Sequence, residues 1–147
     1  MKGERRLARE LALQALYEID LVGHPPALVL HERLGAEAEL NSRIESYARK
    51  LVTGILASLE HLDHYIQSHA PEWPLDQVAV IDRNVLRLAL YEFTAGKVPV
   101  KVAINEAVEL AKEFGADSSP RFVNGVLGAL VPHQREVAHA LDRSQEP

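Results

Sequence analysis

A chain of 147 residues can bury a core without covalent staples, and its net charge of -5 argues against general attraction to nucleic acid. Apolar residues make up 47% and charged residues 25%, an ordinary balance for a soluble globular protein, and no apolar run is long enough to span a membrane. There is no cysteine, which excludes disulfides and thiolate metal sites and fits a cytoplasmic protein.

The apolar spacing reads as all-α throughout, with about seven helices and no persuasive alternation of a strand. The first helix is expected from about Glu4 to Asp20, with Leu7, Leu11, Ala15 and Ile19 recurring every fourth residue and Leu16 widening the stripe. Acidic residues inside this segment and the lack of a small-residue cleavage site argue against a signal peptide. "VGHPP" stops the helix, and a short one is expected in "ALVLHERLG". "SRIESYARKLVTGILASLEHLDHYIQSHA" reads as one long helix with Ile44, Ala48, Leu51, Ile55, Leu59, Leu62 and Ile66 on one side. "PEWP" is the clearest break, and it divides a single domain, 1–147, into halves of about 1–70 and 75–147.

Beyond the break, "LDQVAVIDRNVLRLALYEFTA" is helical with a split expected near Asp82, which would cap the second part. Glu92 projects into the apolar arc with Ile81, Val85 and Leu88, so it needs a structural hydrogen-bond partner. "GKVPV" is a turn, Val102–Phe114 a helix, and Gly115 its stop. Ser119 and Pro120 read as an N-cap followed by proline at the first helical position. The helix they open carries Phe122, Val126, Leu127 and Leu130 inward, and a polar helix in "HQREVAHALDR" closes the chain.

Two features exceed what a core requires. Lys2, Arg5, Arg6 and Arg9 fall within one arc of the first helix, at an end where the macrodipole disfavours cations. A solvated charge run is one reading; contact with phosphates is the other. On the later helix Arg121, Asn124, Gly125 and Gly128 share the face opposite the apolar arc. Each interior glycine costs about 1 kcal/mol against alanine. Either another helix packs there, or a partner or nucleic-acid strand lies across the face.

"ARELALQALYEID", "DRNVLRLALYEF" and "VPVKVAINEAVELAKEFGADSSPRFVNGVLGAL" resemble the bacterial NusB transcription antitermination family, over nearly the whole chain and least in residues 21–75. The resemblance implies two three-helix halves packed together. It implies binding to the boxA element of nascent RNA jointly with NusE, a small-subunit ribosomal protein, so that RNA polymerase resists termination, notably on ribosomal RNA operons. The family's arginine-rich start falls on Arg5, Arg6 and Arg9, while Leu7 stands where relatives often have another arginine. Tyr17 lies on the same projected side, either to stack a base or as a partly buried core residue. A second RNA-facing segment matches Ser118, Arg121, Phe122 and Asn124, with Phe122 alternatively wholly core, and the NusE-facing acids match Asp76 and Asp82.

Enzymatic signatures are missing: there is no phosphate loop, dinucleotide fingerprint or nucleophile with a recognisable base. His61 and His64 have a metal-compatible spacing but no third ligand, so neither metal nor cofactor is expected. The expectation is a non-enzymatic RNA-binding elongation factor. The alternative is a helical module that binds a ribosomal protein without useful RNA affinity of its own.

Overall fold

The computed structural model describes residues 3–144, and among these it contains α-helices and short 3-10 turns but no strand. Eight α-helices follow in order: α1 Glu4–Val22, α2 Pro26–Gly35, α3 Ser42–Ala57, α4 Leu59–Ser68, α5 Val80–Phe93, α6 Val100–Phe114, α7 Ser119–Leu130 and α8 Gln134–Ser144. The chain forms two compact units, residues 1–53 and 54–147, with the boundary inside α3; the proline-rich break is a loop within the second unit.

In the first unit α1 and α2 pack on each other. Gly23 ends α1 in the left-handed region at φ 80°, donating its N–H to Ile19, which is why glycine stands there. Arg33 of α2 then grips Glu18 of α1 at 3.1 and 3.2 Å. Asn41 opens α3, its Oδ1 accepting the N–H of Ile44 at 2.9 Å. Ala8, Ala12 and Ala15 are fully buried, as are Val29 and Leu51.

The second unit is built on α5, which packs against α4, α6 and α7 and is buried almost throughout from Asp82 to Phe93. Leu86, Leu88, Leu90 and Phe93 meet almost no solvent, nor do Leu127 and Leu130 of α7. Arg87 is buried too, and its charge is answered: Nε and Nη2 donate to the two oxygens of Asp63 on α4 at 2.7 and 2.8 Å, and Nη1 to Asn84 at 3.1 Å. Gly54 faces Tyr91 so closely that an added Cβ would collide with the phenol. Burial raises the pKa of that phenol.

Four expectations are corrected here. Residues 42–68 form two helices, because Ser58 leaves helical geometry at φ -111°, ψ 13°. Its side chain is wholly buried, so packing breaks a sequence that lacks any glycine or proline at that point. The split expected near Asp82 comes earlier: a 3-10 turn at Leu75–Gln77 precedes α5, and Ala79 stands at the N-cap. Asp82 therefore caps nothing and sits in the first turn, where a negative charge suits the macrodipole. Ser119 does not cap α7; its Oγ accepts the N–H of Ala116 at 2.9 Å, and α7 already begins at Ser119. Gly115 stops α6 as expected, though in extended geometry, and its lack of a side chain serves close approach to Ser119 Oγ, 2.6 Å from where a Cβ would lie.

Candidate nucleic-acid interface

The cationic arc on α1 divides once side chains are placed. Arg5 and Arg6 are exposed, whereas Arg9 is buried at 5% exposure. Lys2 lies outside the described residues. Arg9 is thus removed from the outer rank of expected contacts, and its guanidinium points toward the Tyr47 ring at 6.0 Å. Arg5 is closer, 3.6 Å over the same ring, a cation–π geometry that holds it despite the opposing dipole. Tyr17 is half-buried. Glu4 receives Arg43 through two hydrogen bonds, 2.9 and 2.8 Å, and a third from Asn41. Those bonds, Arg43 first, lower the Glu4 pKa to about 2. The start of α1 and the first turns of α3 enclose a groove of about 470 Å³.

Ser118, just before α7, and Arg121, Asn124, Gly125 and Gly128 on it are all exposed. Among the described residues nothing beyond the helix's own nearby backbone lies within 4 Å of a Cβ added at Gly125 or Gly128, so the reading in which another described helix of the chain fills that space is overturned. Phe122 is half-buried rather than wholly core, and it meets Trp73 edge to face at 6.2 Å and 77°. Trp73 itself is 59% exposed on a fixed loop. Gln67 donates to the carbonyls of Ala70 and Trp73 at 3.2 and 3.1 Å and accepts the N–H of Leu75 at 2.7 Å.

The two acids differ in access. Asp76 is exposed on the 3-10 turn, which Arg83 braces by reaching the carbonyls of Leu75 and Asp76 at 3.4 Å. Asp82 keeps only 8% exposure, and its Oδ1 has no hydrogen-bond partner among the described residues. Glu92 is fully buried inside α5, apart from any surface. Among the described residues no three His, Cys, Asp or Glu side chains cluster as a metal site would require.

A basic helix start, an open glycine face and an exposed acid are the residues that a family comparison must explain. The NusB family model matches residues 6–132. The chain belongs to the NusB family. It is 45% identical over 139 residues to the transcription antitermination protein NusB of Roseiflexus castenholzii, covering 92% of this chain and 97% of the relative. To the NusB of Dehalococcoides mccartyi it is 49% identical over 131 residues, with 88% and 91% covered. The solved NusB of T. maritima superposes with a TM-score of 0.80 at 33% identity, covering 95% of this chain and 93% of that one. A crystal structure of NusB and NusE in complex with double-stranded RNA matches with a TM-score of 0.80 at 29% identity, covering 95% and 99%.

Within this NusB-family chain, sequence reasoning passed over α3. Arg43, Tyr47 and Lys50 stand at i, i+4 and i+7, one helical face, and all three line the groove beside Arg5. That spacing was the available signal. What hides it in the sequence is that nothing local ties Tyr47 to α1.

Proposed function

We propose that this chain is a non-enzymatic transcription antitermination factor of the cytoplasm. It binds boxA RNA together with NusE and, as part of the RNA polymerase elongation complex, supports ribosomal RNA transcription. The observation that carries the reading is the exposed pair Arg5 and Arg6 at the start of α1. Helix stability gains nothing from cations there, and an anionic partner does. The names of the relatives, and the relative solved with NusE and RNA, support the same reading.

The work divides by chemistry. Arg5 and Arg6, with Lys2 ahead of them, neutralise phosphates and set the register of the strand, and Arg9 holds its place behind them. Ser118 ahead of α7 and Arg121 and Asn124 on it supply polar contacts, and the Asn124 amide offers both a donor and an acceptor to a base edge. Gly125 and Gly128 let a strand approach the helix backbone. Tyr17 and Phe122 are both half-buried, and each offers an aromatic ring on which a base stacks. Asp76, and Asp82 through its small exposed fraction, meet the basic surface expected of a ribosomal protein.

So few cations on an acidic chain make for weak binding alone. Each phosphate contact on single-stranded RNA contributes about -0.7 to the slope of log affinity against log salt. NusE adds its own basic surface, and a coupling of about 1–3 kcal/mol between the two ligands is reciprocal by linkage. The test is titration of boxA RNA with and without NusE, using the native chain and Arg5→Ala/Arg6→Ala. The native chain should bind RNA more tightly with NusE, the double variant should lose affinity and flatten the salt slope, and thermal unfolding should barely move. Equal RNA affinity with and without NusE would remove the cooperative mechanism. No RNA binding in either condition would leave a protein-interaction module.

A further inference from the structure

The groove between the start of α1 and the first turns of α3 is lined by three cations, Arg5, Arg43 and Lys50, and by one acid, Glu4. Its volume of about 470 Å³ is enough for one nucleotide unit rather than a lone ion. The acid is committed: Glu4 is bonded twice to Arg43 and once to Asn41, and those bonds keep it ionised and turned toward α3. The pair stiffens the wall, and the balance of charge in the groove stays positive.

Arg5 is the second built element. Its guanidinium lies 3.6 Å over the centre of the Tyr47 ring, so one face is covered by an aromatic and the residue remains exposed. A long flexible side chain is thereby fixed before any ligand arrives, and less ordering entropy is lost on binding. An exposed guanidinium plane is a surface on which nucleobases stack. One turn further along α3, Lys50 is exposed and lines the same groove. Ser46 beside it supplies a hydroxyl that both donates and accepts.

We infer that this groove is a nucleotide subsite for single-stranded RNA: a base stacks on the outer face of Arg5, and the adjoining phosphate is met by Lys50, with Arg43 as the wall and Tyr47 as the residue that positions Arg5. Positive lining favours an anionic chain over an apolar or basic protein segment, the exposed guanidinium plane of Arg5 favours a nucleobase over an acidic side chain, and the groove continues the surface that begins at Arg5 and Arg6. The inference rests on the RNA-binding reading above and extends the strand's path from α1 onto α3.

The experiment titrates boxA RNA in the presence of NusE against four proteins: the native chain, Lys50→Ala, Tyr47→Phe and Tyr47→Leu. Lys50→Ala changes an exposed side chain and leaves the fold intact, so it carries the test even where Tyr47→Leu loses stability. The expected result for Lys50→Ala is a salt slope shallower by about 0.7, one phosphate contact. Tyr47→Phe keeps the ring and should keep native affinity. Tyr47→Leu should lose about two- to fivefold, the scale of an exposed cation–π contact. Unchanged slope in Lys50→Ala with native-like RNA affinity overturns the subsite and leaves the RNA-binding reading standing. No RNA binding by the native chain with NusE overturns both. Weaker NusE capture by Lys50→Ala in the absence of RNA reassigns the groove to the protein partner and overturns the subsite as well.

Discussion

Replacing Gly125 and Gly128 by alanine should make the protein more stable. Both lie inside α7 and are exposed, and among the described residues a Cβ at either meets nothing within 4 Å beyond the helix's own nearby backbone. Nothing is displaced, so the intrinsic helix preference is collected in full, about 0.8–1.0 kcal/mol per site and about 2 kcal/mol for the pair. At about 2–4 °C per kcal/mol for a chain of this size, the midpoint should rise by about 4–8 °C in a thermal melt followed by circular dichroism. Leucine is nearly as good a helix former as alanine, so Gly125→Leu should be stabilised as well. Its bulk, though, stands beside Asn124 and Arg121. RNA affinity with NusE should then fall about tenfold or more, the equivalent of about 1.4 kcal/mol. Binding at this face would explain why the helix gives up stability to stay bare. A drop in midpoint for the alanine pair would mean that the face is filled within the folded chain. Full RNA and NusE affinity in a stable Gly125→Leu would show that the bare face has no use in binding.

Asp63→Ala should destabilise by about 2–3 kcal/mol in urea unfolding, at or just below the range of about 3–5 kcal/mol for stranding a fully buried charge. Arg87 retains Asn84 and the lost carboxylate was 29% exposed; a change under about 0.5 kcal/mol would mean that solvent already answers the guanidinium. Gly54→Ala should cost about 1–2 kcal/mol, since overpacking against Tyr91 outweighs the helix preference regained, and Tyr91→Phe in the same background should restore part of it once the colliding hydroxyl is gone. The Glu4 carboxyl has a folded pKa lowered from 4.5 to about 2, so the stability it contributes is full above about pH 5 and disappears as pH falls from 4.5 through 2. The stability difference between the native chain and Glu4→Gln should therefore shrink across that window, and a difference that stays flat from pH 6 to pH 2 would show that the Arg43 pairing does not persist in solution.

Much of the fold could be read from spacing, because its signals are local. Leu11, Ala15 and Leu16 are buried as the apolar stripe requires, and "VGHPP" and "PEWP" interrupt the chain where glycine and proline must. The misjudged points turn on side-chain burial and hydrogen bonding, which apolar spacing does not report. Ser58 breaks a helix because its side chain is enclosed, and no pattern around it announces that. Ser119 looked like a cap and instead accepts from Ala116, since α7 begins one residue earlier than its proline suggests. In the candidate interface the helix projection collected Arg5, Arg6 and Arg9 correctly onto one arc but could not grade their depth, so Arg9 was given the same access as its neighbours. Tyr47 was invisible for the converse reason: its importance lies in Arg5 above it, and periodicity within α3 says nothing about what α1 lays across it.

The Gln67 amide takes the place of secondary structure for the loop between α4 and α5, bonding to Ala70, Trp73 and Leu75 from one point. Its reach fixes the length of that connection, so a single residue inserted between Ala70 and Leu75 would break the set of bonds rather than lengthen a slack strand. The same fixation makes Trp73, the chain's one tryptophan, a natural optical label on residues 54–147. With its backbone carbonyl held by Gln67 and its ring edge-on to Phe122, Trp73 should show an emission anisotropy that decays with the tumbling of the folded body, not with the faster wagging of a surface loop. The chain thus carries its own gauge of assembly, since the decay would lengthen as a partner adds mass, with no dye attached.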